Sequence, residues 1–181
     1  MTKRLVCVLV WGVICILALI QPVTGADDES GAGFPKFKLE NLKGDTVSSD
    51  DAFANADLIL IDFFTYYCKP CKKLMPYVSG FQDKYGEHGF KAILFDEDEP
   101  EGIPLSRSYV KQNEYSFEVL FDVERAVESF YSITKQPTTI LLNSAGEVVH
   151  RHEGYNKGDE KALEEFIRGY LEDIGNLEEE G

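Results

Sequence analysis

The chain has 181 residues, of which 32 are acidic and 18 basic, for a formal net charge of −14. So acidic a surface repels phosphate backbones and argues against nucleic acid as a partner, while it keeps a domain soluble or selects basic clients. Of the four cysteines, Cys7 and Cys15 lie near the N-terminus; the remaining pair is too sparse for a disulfide-stapled scaffold and is left for chemistry or for metal.

Lys3 and Arg4 precede an uncharged, mostly apolar run from Leu5 to Ile20, followed by Pro22 and the small-residue stretch Val23-Thr24-Gly25-Ala26. This is the order of an export signal, with Val23 and Gly25 at the third and first positions before a cut after Gly25. A retained membrane anchor is the alternative, because a spanning helix needs about 20 apolar residues and the run falls only slightly short. Cleavage removes Lys3, Arg4 and no acidic residue, so the mature chain is more acidic still. What remains suits one domain: a flexible leader over 26–36, a folded body over 37–174 and a fraying acidic tail over 175–181.

Two short strands are predicted around the Gly44-Asp45 turn, over residues 37–39 and 42–47. Leu58 to Phe64 is nearly all apolar, interrupted by Asp62, and predicts a strand buried on both faces. Residues 68–85 carry helical spacing, with Leu74, Val78 and Phe81 on one side. A second buried strand is predicted over 90–95, followed by an acidic loop over 96–101. A helix over 105–115, a strand over 117–121 and a short helix over 125–131 come next. Residues 138–142 and 148–152 form a hairpin around Asn143-Ser144-Ala145-Gly146. Asp159 then caps an amphipathic helix that buries Leu163, Phe166, Ile167, Tyr170 and Ile174. Strands alternating with helices predict an α/β fold, a mixed sheet covered on both faces.

Cys68-Lys69-Pro70-Cys71 directly follows the 58–64 strand and opens a helix. A thiol at a helix N-terminus faces free backbone N–H groups and the positive end of the dipole, which stabilise its thiolate. Cys68 is therefore the candidate nucleophile, and Lys69 adds positive charge beside it. Cys71, one turn deeper, is placed to resolve a mixed disulfide. Half of a zinc site is the alternative, but His88, His150 and His152 supply no second ligand pair at zinc-knuckle spacing.

The stretch from Leu60 through Asp62 to Cys68-Lys69-Pro70-Cys71 resembles the active-site strand and helix of the thioredoxin superfamily, and the likeness covers most of residues 37–174. Asp62 stands six before the first cysteine and Pro76 eight after it; Gln136-Pro137-Thr138 is similar to the cis-proline element, and Gly154 follows the second hairpin strand. The resemblance implies a thioredoxin-like fold with an N-terminal β-hairpin extension. It gives Asp62 the part of a buried proton relay for Cys71, against the alternative of a satisfied polar strand residue. It makes Pro137 cis, where a trans turn proline would be the default, with the Gln136 backbone open to a client peptide.

Tyr67, Lys69 and Gln136 depart from the usual thioredoxin residues, which bears on redox potential and client choice. The export signal, the hairpin and the stretch 96–107 resemble the TlpA/ResA-like envelope thioredoxins, and Glu97 stands near where that group's active-site glutamate is expected; a solvated carboxylate is the alternative.

The resemblance implies a thiol:disulfide oxidoreductase of a bacterial periplasm or cell envelope, monomeric and without a prosthetic group. Its partners would be cysteine-containing client proteins and a recharging thiol protein, in the membrane if it works as a reductant. Pro70 and Asp62 follow the pattern of reductants. Two rivals remain. A peroxiredoxin-like peroxidase is suggested by Thr65-x-x-Cys68, although Ile61 replaces that group's proline. A copper carrier would pair the cysteines with His150 or His152. The run Asp96-Glu97-Asp98-Glu99 lacks the ligand alternation and the glycine of a calcium loop and is predicted to be solvated.

Overall fold

The computed structural model describes residues 33–178; the predicted signal, Cys7, Cys15 and most of the leader lie outside them. Their seven strands form one sheet in the order β2-β1-β5-β4-β3-β6-β7. Strands β1 (Lys38–Asn41) and β2 (Thr46–Ser48) form the N-terminal hairpin, and β3 (Leu58–Phe64) runs parallel to β4 (Phe90–Asp96). Strand β5 (Glu118–Phe121) lies parallel to β4 and antiparallel to β1. Strands β6 (Thr138–Asn143) and β7 (Val148–Glu153) close the other side antiparallel. No helix among the described residues is long and apolar enough to cross a membrane.

All seven residues of β3 are buried, and the two-residue period of a strand sorts them between two cores. Leu58, Leu60 and Phe64 join Leu74, Met75 and Val78 of helix α2 (Lys69–Tyr85) and Leu163, Ile167 and Leu171 of the C-terminal helix α5 (Asp159–Asp173). Ile59, Ile61 and Phe63 meet Phe53, Val127 and Tyr131 on the opposite face. That second layer includes α1 (Ser49–Ala52) and α4 (Ala126–Phe130), while α3 (Ile103–Asn113) follows the acidic loop. By this alternation Asp62 faces the layer that contains Cys71.

Several local expectations change. Helix α1 has no apolar period and was not predicted; Ser48 starts it by accepting from the Asp51 N–H at 3.2 Å. Asp159 does not cap α5. It is the first helical residue after Gly158, whose φ of 113° turns the chain, and its carboxylate reaches back to accept from the Asn156 N–H at 2.7 Å. Leu171 takes the buried position predicted for Ile174, which is exposed because the helix ends at Asp173. Contacts are also made by residues on either side of 37–174. Phe34 stacks on Phe53 with ring centroids 4.3 Å apart, and Asn176 bonds Asp57 and the His88 carbonyl.

Leu60 has no accessible surface and sits between Ala92 on β4 and Leu141 on β6. Leu60→Ala leaves a cavity that two flanking strands cannot close, and it is expected to lower unfolding free energy by about 2–5 kcal/mol. Urea denaturation measures this; a loss below about 1 kcal/mol would show that the sheet collapses around the gap.

Candidate functional site

The chain leaves β3 at Phe64, crosses Thr65, Tyr66 and Tyr67, and enters α2 at Cys68, the N-cap residue. Cys68 and Cys71 are joined by a disulfide with their Cα atoms 5.3 Å apart. The Cys68 sulfur also accepts from the Cys71 N–H at 3.2 Å, one of the donors that a helix start leaves free. The two sulfurs differ in access, since Cys71 is 1% exposed within the core while Cys68 is half-buried. Lys69 is exposed at the first turn, Pro70 occupies a helix-start position that needs no N–H, and Tyr67 is 74% exposed.

Asp62 is buried, and its Oδ2 accepts from the Thr139 hydroxyl at 2.5 Å. The β3–β6 register sets these two residues opposite one another, and the β6–β7 register sets Thr139 opposite His152. A polar row therefore crosses three strands, ending where His152 Nε2 lies 3.2 Å from Asp159 on α5. Burial holds the Asp62 carboxyl well above the usual carboxylate range, the Thr139 bond opposes this, and nearby Glu97 adds to it. His150, packed against Phe166, is held below the ordinary histidine value by burial and by His152.

The Gln136–Pro137 peptide bond is cis, and Pro137 is buried at the entry to β6. Gln136 donates from Nε2 to Glu97 Oε2, a pairing invisible in the sequence. The predicted solvated loop turns inward instead. Asp96, Glu97 and Asp98 are 1%, 1% and 6% exposed. Asp96 accepts from the Ser106 hydroxyl, Asp98 accepts from the Tyr66 N–H at 2.6 Å, and the Glu97 N–H donates to the Phe64 carbonyl at 2.9 Å. These contacts tie the loop to the segment before Cys68. Burial pushes Asp96 up to about 7, against the Ser106 bond. Glu97 is pushed up to about 8 by burial and the Glu128 charge, against the Gln136 bond and Arg125.

With this geometry the chain can be set beside known proteins. The AhpC/TSA family profile matches residues 30–151. The chain belongs to the AhpC/TSA family. It is 31% identical to the thiol-disulfide oxidoreductase ResA of Bacillus cereus, over 80% of this chain and 78% of that protein. With the ResA of Halalkalibacterium halodurans it shares 30% identity over 87% of this chain and 92% of the relative. A crystal structure assigned to a thiol:disulfide interchange protein DsbE of Chlorobium tepidum superposes with a TM-score of 0.68 at 28% identity, covering 78% of this chain and 96% of that one. The StoA structure of Bacillus subtilis, at 23% identity and a TM-score of 0.60, shares the fold. This family member is a thioredoxin-like thiol:disulfide oxidoreductase.

A carboxyl whose folded pKa lies above its unfolded value binds protons more tightly when folded. Its stabilising share is complete below the unfolded value, near 4, and is lost as pH rises through the folded one. Asp96 and Glu97 therefore lower stability between pH 6.5 and 8.5. His150, with its lowered value, acts in the opposite sense only below about 6.5. The urea midpoint should fall across that window, and Glu97→Gln should flatten part of the decline. A midpoint that is level or rising from pH 6.5 to 8.5 would contradict the burial of these protons.

Proposed function

We propose that the protein exchanges electrons with cysteines of client proteins through the Cys68–Cys71 pair and works as a reductant. The observation that carries this reading is the asymmetry of the pair: a half-buried sulfur at the start of α2, and its partner one turn deeper in the core. In the reduced protein the Cys68 thiolate attacks a client disulfide and forms a mixed disulfide, releasing one client thiolate. Cys71 then attacks the Cys68 sulfur, releasing the second client thiol and leaving the intramolecular disulfide. Asp62, buried on the face that carries Cys71, takes the Cys71 proton in this step. Client backbone lies along Gln136 beside Pro137, and Glu97, through its bond to the Gln136 side chain, holds that residue in place.

The direction rests on Pro70 and Asp62, set against Lys69, whose charge favours the thiolate of the reduced form. Recharging requires another thiol protein, which a membrane donor would supply. The segment 1–25 acts as a signal for export to a bacterial cell envelope, where the protein works as a monomer.

Cys71→Ser should accumulate mixed disulfides with client proteins, and Cys68→Ser should abolish exchange. Asp62→Asn should slow release from the mixed disulfide roughly a hundredfold at neutral pH while leaving the first attack less affected. Equilibration with thiol buffers should give a potential at or below about −230 mV; one between about −180 and −120 mV would reverse the direction to that of an oxidant or isomerase. Peroxide consumption by the reduced protein, faster than its reaction with disulfides, would favour the peroxidase instead.

A further inference from the structure

Beside the active-site loop lies a hollow lined by Thr65, Tyr67, Glu97, Asp98, Glu101 and Arg125. Glu97, Asp98, Glu99 and Glu101 bring four carboxyl groups to it, beside the Thr65 and Tyr67 hydroxyls and one guanidinium. Asp98 is bonded to the Tyr66 N–H. The cation on its wall is already engaged, because Arg125 contacts Glu99, Glu128 and the Glu97 carbonyl oxygen, each at 3.4 Å. Glu97 is 1% exposed and its Oε2 is held by Gln136, but its Oε1 is buried without any hydrogen-bond partner. The Tyr131 hydroxyl is the other side-chain atom so placed among the described residues. A buried carboxyl oxygen without a partner is costly and marks a place where a polar partner is missing.

We infer that this hollow is a subsite for a lysine or arginine side chain of the client, seated next to the cysteine that Cys68 attacks. The inference rests on the exchange reaction proposed above. Such a side chain brings three to five donors and no acceptor, which complements a wall of carboxylates. Its aliphatic stem would lie on the Tyr67 ring, which is exposed and lines the same hollow. Glu97 joins this subsite to the Gln136 side chain, so that peptide backbone and basic side chain would be read by adjoining groups. Glu97 is faced by Arg125 and Glu128 of the α4 segment, Asp122 after β5, Gln136 before β6 and Asp62 on β3. An incoming cation stabilises its ionised form, so docking expels a proton from Glu97 and the benefit grows as pH rises from 7 to 9.

The test separates binding from exchange by using the full-length Cys68→Ser, Cys71→Ser protein with fluorescent decapeptides in which serine stands for the client cysteine. A single lysine, or norleucine as its neutral control, is moved through the flanking positions, and affinity is read by anisotropy at 0.15 M salt. One position should prefer lysine by roughly three- to tenfold. That preference should rise between pH 7 and 9, and Glu97→Gln should remove both the preference and its pH dependence. Glu101→Gln should weaken the preference, and it serves as the reporter if Glu97→Gln does not fold. Equal affinity for lysine and norleucine at every position would overturn the inference. So would a lysine preference spread evenly over all positions, which is the mark of attraction to the acidic chain as a whole. Exchange is assayed separately with intact cysteines. Its absence alongside a position-specific lysine preference would strike the exchange reaction and leave the subsite standing.

Discussion

The register of β3 against β6 is the constraint on which the site depends. Asp62 lies opposite Thr139 and Phe63 opposite Thr138, and a slip of one residue would turn every side chain of β6 to the wrong face. That register carries Pro137 and Gln136 to the same end of the sheet as the loop that follows Phe64. It also gives Asp62 a hydroxyl partner beside a predominantly apolar layer. Burying a carboxyl there without a partner would cost several kcal/mol; with one, the group exchanges its proton well above the usual carboxylate range, closer to where thiols do, as the thiol chemistry proposed above requires.

The same economy of partners governs the loop after β4. Three consecutive acidic residues, Asp96, Glu97 and Asp98, are withdrawn from water and divided among a serine hydroxyl, a glutamine amide and a backbone N–H. Two of those donors belong to the segments on either side of the site, the loop before Cys68 and the turn before β6. Burial raises the proton affinity of Asp96 and Glu97, so the loop trades charge for shape. Its shape in turn sets the wall beside Tyr67.

Much of this architecture was legible in the sequence because it follows from local pattern. The apolar run of β3 and the helical spacing after Cys68 each fall within a few residues of their observed bounds. Cys68 and Cys71 announced themselves by the strand before them and the helix after them. Asp62 stood out as the single charge in a buried strand. What was not legible depends on distant partners. The acidic run reads as solvated because the groups that accept its burial, Ser106, Tyr66 and Gln136, lie 10, 32 and 39 positions away from the residues they bond. Thr139 is 77 positions from Asp62, and two threonines after a proline carry no sign of which carboxyl they will meet. Helix α1 escaped for another reason: four residues are too few to show a period, and Ser48 was the one available signal.

The sheet ends on β2 at one side and β7 at the other, and each edge is a row of unpaired backbone groups that another chain could extend. Strand β2 is three residues long, too short to template a neighbour. Strand β7 carries His150, Arg151, His152 and Glu153 in succession, and Arg151 is bonded to the Tyr131 carbonyl at 2.8 Å. A second copy docking along β7 would have to strip water from these side chains. The polar ladder that borders the site thus also guards the open border of the sheet against fibrous self-assembly, a safeguard that matters most while the chain is still folding.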